Sequence, residues 1–280
     1  MTEDNKIRDA ADAVKGILQA VPVDQDVVQP TAKEVGAALQ TVVRTIHIAL
    51  APVSALVWGY DLIREFVLNR VAEKLKDVPI EDISIPRPNV AGPALEALKY
   101  TGHEETLREM YANLLAASMD KRTASGAHPA FVEIIRQLTP DEARIIKLFT
   151  QDRPFPLLSV MGMHKVQTHT QVGGYEMLTN FSLVGYEAGC EFPHLTPAYL
   201  DNLCRLGLAE IPEMWVYTAP GLYDALENHP YVVAAKQSVE THEGLVPEIQ
   251  RKGLRVTELG RQFCRICVVP HEEKDLPSGH

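Results

Sequence analysis

The chain has 280 residues, 46% hydrophobic and 23% charged, a balance that excludes intrinsic disorder and supplies one large core or two of ordinary size. A net charge of −10 excludes attraction of the whole molecule to nucleic acid or anionic membranes, so any phosphate contact needs a local basic patch. Four cysteines do not make a disulfide framework, and the mixed-charge N-terminus lacks a signal peptide's apolar core; both give the expectation of a soluble cytoplasmic protein.

Taken in chain order, residues 5–19 predict a short amphipathic helix with Ile7, Ala10, Val14 and Leu18 on one side. The stretch VPVDQDVVQP, with Pro22 and Pro30, reads as an acidic connector. From about Thr31 the residues Leu39, Val42, Val43, Ile46 and Leu50 recur at helical spacing, against a polar stripe of Gln40, Arg44 and His47. Pro52 predicts a break or kink. Helix resumes near Val53, with Leu56, Tyr60, Ile63, Val67, Val71 and Leu75 spaced for packing along another helix. Val35–Trp58 is the nearest approach to a membrane span, but Arg44 and His47 interrupt it. It reads as a bundle helix whose Arg44 meets an acid or reaches solvent. The competing reading is a segment that enters membranes only on activation.

Residues 78–93 hold four prolines and predict an extended, non-helical strap. Thr101 with Glu104 has the form of a capping box, followed by an apolar stripe of Leu107, Met110, Leu114 and Ala117. A short helix, FVEIIRQL, leads to Thr139, where TPDE supplies an N-cap, a proline at the first helical position and a glutamate at the third. That start marks the domain boundary. Residues 154–193 read as strands and loops, and AYLDNLCRLG as a helix closed by Gly207. Then come a strand over LAEIPEMWVYT, a helical stretch broken at Pro230, a returning strand GLRVT and a last helix capped by Thr257. The expectation is a mainly α protein, α+β overall. A helical module, 1–138, carries the strap; a winged-helix-like α/β module covers 139–270, with a connection between its strands longer than a usual wing; a flexible tail covers 271–280.

Few residues point to chemistry. Cys264 and Cys267 form CxxC with Cys190, His194 and Cys204 upstream, but the pair falls on an apolar helix and reads as buried thiols, not zinc ligands. No phosphate loop, dinucleotide fingerprint, HExxH or GxSxG occurs, so neither catalytic residues nor a cofactor are expected. His103 beside Glu104 and Glu105 at a helix start, with Arg108 one turn on, and the stripe residues Arg44 and His47 are the interaction candidates. Arg205, Arg251, Lys252 and Arg255 are the DNA-facing candidates; Asp201 and the acidic balance predict that any such binding is weak.

The strings GPALEALKYTGHEE and NLLAASMD, with the later steps L-x-x-L-x-x-L-G-L and L-x-V-T-E-L-G-x-x-F-C, resemble the abortive-infection alpha family of bacterial phage-defence proteins. The resemblance covers most of the chain and implies defence against phage, with no catalytic residues attached. The expectation is a non-enzymatic defence protein acting through protein contacts or self-association. Alternatives are a winged-helix DNA-binding regulator or antitoxin-like partner, and a membrane-perturbing effector using residues 35–58.

Overall fold

A computed structural model of the protein describes residues 32–54, 59–101, 104–165 and 174–271, without side chains for 32–40 and 62. The helix expected at 5–19, the connector after it, His103, and most of the tail lie outside the described residues. The fold is mixed α+β with helix predominating, and its contacts form two compact units. One comprises 1–138 with 262–280; the other is 139–261. Residues 262–270, expected in the second module, thus belong to the first unit.

The first unit is built from α1 (Ala32–Ser54), α2 (Arg64–Lys74), α3 (Pro88–Thr101), α4 (Glu105–Met119) and α5 (Ala130–Arg136). Of the apolar face expected for α1, Val42, Ile46 and Leu50 are buried and Val43 half-buried, the Leu39 side chain lying outside the described residues; Ala49 is buried with them, while Arg44 and His47 are exposed. The helix runs two residues past Pro52, and no helix among the described residues is long and apolar enough to cross a membrane. Every residue of α4 from Met110 to Met119 is buried, so α4 is the axis around which the unit packs. Part of the expected strap is helical. A 3₁₀ turn occupies Ile80–Asp82, and α3 begins at Pro88, because a proline in the first helical turn removes a donor that has no partner there anyway. The expected box at Thr101 does not form. Thr101 ends α3, its hydroxyl bonded to the Ala97 carbonyl, and Glu104 caps α4 without a side-chain bond.

Behind α4 lies a five-residue π-helix, Cys264–Val268, whose Cys267 carbonyl accepts from the Asn113 amide at 3.0 Å. A π-turn leaves carbonyls outside the α-helical ladder, and the buried Asn113 satisfies one of them. Phe131 meets Phe263 edge-on at 5.3 Å, and the fully buried Asp120 joins Arg122 and His271. Burial alone would raise the Asp120 pKa; the bonds from Arg122 and His271 outweigh it and hold the carboxyl below its ordinary value.

The second unit starts with α6 (Pro140–Leu148), where the capping box predicted at TPDE is present: Glu142 N–H donates to Thr139 Oγ1 at 3.2 Å, and Thr139 N–H to the Glu142 carboxylate at 2.6 Å. Thr139→Ala should cost about 1 kcal/mol of stability, read from the urea midpoint of the full chain. Then come β1 (Phe155–His164), β2 (Gly174–Phe181), α7 (Val184–Glu187), α8 (Thr196–Arg205), β3 (Ala209–Glu210), α9 (Asp224–Glu227), α10 (Pro230–Glu240), β4 (Leu245–Val256) and the start of α11 (Glu258–Phe263), whose last two residues belong to the first unit. The four strands form one antiparallel sheet in the order β2-β1-β4-β3. One face carries Leu158 and Val160 against Val232 and Val239 of α10.

Two strand expectations change. LAEIPEMWVYT is a strand only at Ala209 and Glu210, because the chain then turns and lays Trp215 and Tyr217 on β4 at Gly253. A side-chain carbon at 253 would sit 2.5 Å from the Trp215 ring, so this lid over the strand needs glycine beneath it. The returning strand is longer than GLRVT, running from Leu245 in unbroken register with β1.

The family-like motifs near the end of the chain form a single joint. Gly207 takes the left-handed conformation after α8 with φ of 74°. Thr257 N–H then donates to the Leu208 carbonyl at 3.1 Å, and the Thr257 hydroxyl caps α11 through Gly260 N–H at 2.9 Å. Gly260 lets that first turn rest against the Leu208 carbonyl.

Candidate functional site

The sheet leaves part of β4 uncovered, and there the second unit has a cleft of about 850 Å³. Its walls are consecutive residues of two segments, Glu248 to Lys252 on β4 and Ile211 to Met214 after β3, with Asp201 and Cys204 from α8 and Asn180 from β2. The volume suits a ligand or a short peptide.

At its floor, Lys252 Nζ donates to Ser159 Oγ at 2.9 Å and to Asn180 Oδ1 at 3.1 Å, with the Glu176 carboxylate 3.6 Å away. Asn180 N–H also donates to Ser159 Oγ at 3.1 Å. β1 and β2 slip register on both sides of Val160, and Asn180, with φ of 47°, lies in that irregular stretch. Met214, with φ of 55°, is the other non-glycine residue of positive φ among the described residues, and it too lines the cleft. Strained backbone of this kind persists where the surroundings impose it, and it gathers at functional sites.

The floor is fixed and the rim is open. Ser159 is fully buried, whereas Asp201, Glu213 and Glu248 are exposed and make no ion pair among the described residues. Met214 is wholly exposed beside them. Burial first, then the charges of Asp201 and Glu210, push the Cys204 thiol up to about 11, so it is a protonated wall group and not a nucleophile.

The four DNA-facing candidates do not form a free basic patch. Arg251 pairs with Glu227 at 2.6 Å and lies over the Tyr223 ring, Arg255 pairs with Glu210 at 2.6 Å, and Lys252 is held in the floor. Arg205 bonds the Asn202 side chain on its own helix. Phosphate binding releases counterions in proportion to the cations that meet phosphate, and these cations already face carboxylates or amides. Arg251 and Lys252 are nevertheless brought to the cleft; Arg205 and Arg255 do not line it.

In the first unit, His47 Nε2 lies 3.2 Å from the Arg64 guanidinium, Arg44 is exposed, and Arg108 lies 4.8 Å above the Phe66 ring. Glu104 occupies the start of α4. A charged contact that spacing did not single out also forms there: Glu109 of α4 takes Arg70 and the buried Lys74 of α2, at 2.9 and 3.1 Å. Burial opposes ionisation of Glu109, but the bonds from Arg70 and Lys74 prevail and lower its pKa.

Cys264 and Cys267 are buried in the first unit, and Cys190 and Cys204 belong to the second. Among the described residues, no group of three or more His, Cys, Asp or Glu side chains has metal-binding geometry. Burial raises the Cys264 thiol to about 12, and burial followed by the Asp141 charge raises Cys190 to about 11.

Comparison with known proteins shows that the family model described as abortive infection alpha matches residues 59–267. No curated protein matches it. A solved structure of an uncharacterized protein from the hydrocarbon-degrading marine bacterium Alcanivorax borkumensis SK2 is similar at 23% identity, over 50% of this chain and 92% of that one, with a TM-score of 0.35.

Proposed function

The chain belongs to the abortive infection alpha family, which suggests a role in abortive infection, and from that premise we propose that it acts in phage defence through protein–protein contacts and without catalysis of its own. One observation carries the contact reading. The polar groups at the floor of the β4 cleft are committed to one another, Lys252 and Asn180 to a buried Ser159, while the groups left exposed are a rim of carboxylates and Met214. A fixed floor under an exposed acidic rim supports the reading of a recognition surface.

On this reading the second unit is a winged-helix-like module turned to protein binding, supported by the strand order β1-β4-β3 and by α8 entering β3 directly. The connection from 211 to 244 replaces a short wing with the Trp215–Tyr217 lid and two helices.

The test is phage challenge of bacteria expressing the full chain. Wild-type protein should lower plaque yield, and the pair Glu213→Lys with Glu248→Lys should restore it at equal protein level and equal urea midpoint. Plaque yield unchanged by the wild-type chain over a panel of phages would overturn the defence role. Protection that survives the double substitution would remove the cleft from it.

A further inference from the structure

We propose that the uncovered edge of β4 is a docking strip for an extended, basic segment of a partner protein, which joins the sheet there as an additional strand. This rests on the reading above that the chain works through protein contacts, and it names the chemistry of the partner.

The edge follows from register. Lys165 N–H donates to the Gly244 carbonyl, and β1 and β4 then stay in step without a bulge from His164↔Leu245 to Phe155↔Leu254. Residues in phase with Gly244 therefore bond β1, and the alternate ones, Ile249 and Arg251, turn their N–H and C=O groups to the other side. Pro156, which has no N–H to donate, sits opposite Gly253 in that second phase. On the outer side β3 covers only Arg255 and Val256. Among the described residues, the Ile249 and Arg251 main-chain groups have no partner on that side. Unpaired strand edges are templates for another strand, and proteins usually blunt or cover them.

The groove is the right shape for such a strand. Its walls are stretches of consecutive residues, so it runs along β4, and five residues at about 3.3 Å each give a strip of about 16 Å. Its charge selects the partner. Asp201, Glu213 and Glu248 are exposed without ion pairs among the described residues, whereas Arg251 and Lys252 face Glu227 and Glu176. A segment alternating apolar and basic side chains would place the former on Met214 and the latter on the carboxylates. A nucleic acid would bring its phosphates to those carboxylates, and a second copy of a chain with net charge −10 would bring like charge.

The probe is a labelled synthetic peptide of about ten residues alternating valine and lysine, titrated into the purified full chain by fluorescence anisotropy. Saturable binding is expected, with none for the valine–glutamate counterpart. N-methylation of alternate peptide amides, which keeps the charge but removes strand hydrogen bonds, should weaken binding about tenfold or more. Asp201→Asn, Glu213→Gln and Glu248→Gln together should weaken it similarly, with an unchanged urea midpoint. Equal binding of the methylated peptide, indifference to the triple substitution, or absence of saturable binding would each overturn the proposal. So would concentration-dependent dimerisation of the protein that the valine–lysine peptide reverses, since the strip would then hold a second copy. Failure of the peptide in a protein that still protects cells removes the docking strip alone; the defence reading falls only on the phage assay.

Discussion

Gly260→Ala is expected to cost about 3 kcal/mol or more and to lower the urea midpoint of the full chain accordingly. A methyl group at 260 would overlap the Leu208 carbonyl oxygen, an atom of the main chain that no rotamer change can move. That oxygen also accepts the Thr257 N–H bond, so relief means separating the start of α11 from the turn after α8 and losing the Thr257 cap with it. The companion substitution has the opposite sign. Gly92→Ala lies within α3 with only Val53 near among the described residues, at 3.9 Å, and should be neutral or stabilise by about 0.5–1 kcal/mol through helix propensity. If Gly260→Ala proves as mild as Gly92→Ala, the joint between the two motifs is not what fixes this end of the unit.

Removal of the Asp141 carboxylate should be as severe, about 3–5 kcal/mol for Asp141→Ala, the range for breaking a buried charged contact. Asp141 is 4% exposed, and its two oxygens take Glu191 N–H and Phe192 N–H at 2.9 Å each, the Tyr199 hydroxyl at 3.0 Å and the Arg144 guanidinium. Without it, main-chain donors of the 191–192 loop are left without their acceptor, and Tyr199 of α8 loses its tie to α6. Asp201→Asn on the exposed rim is the control and should stay within about 0.5 kcal/mol.

The same carboxylate makes stability depend on pH. Burial would raise its pKa, but the Phe192 and Glu191 amides, Tyr199 and Arg144 outweigh burial and hold it below the ordinary value. A depressed folded pKa contributes stability that is fully present above the unfolded pKa, about 3.9, and is lost as pH falls through the folded one. Asp120 acts in the same direction. Urea midpoints should therefore decline below about pH 4, and the decline should be shallower in Asp141→Asn, which has no carboxylate there to protonate.

Elements whose cause is local are legible in the amino-acid sequence. The apolar faces of α1 and α4, the capping box at Thr139, the helix closed by Gly207 and the cap at Thr257 all appear where spacing and cap chemistry put them, because each depends on residues within one turn. The sequence also carries the motifs by which the family is recognised, though not their meaning: Gly207 and Gly260 lie far apart in the chain and mark one close approach of main chains.

Other features depend on contacts distant in the chain. Thr101 and Glu104 have the form of a cap, yet a helix ends at Thr101, because the packing of α3 and α4 fixes where each stops. Lys252 and Arg251 were legible only as basic residues near a strand. That one is held by Ser159 and Asn180 and the other by Glu227 depends on a two-bulge register between β1 and β2 and on the α9 turn, which no local pattern encodes. The open edge of β4 is less legible still. It exists because β3 stops at Glu210 and the chain turns back to seat Trp215 on Gly253, so main-chain groups that every strand possesses are left without a neighbour. A strand's sequence states which side chains it offers; only the assembled sheet decides which of its edges is covered.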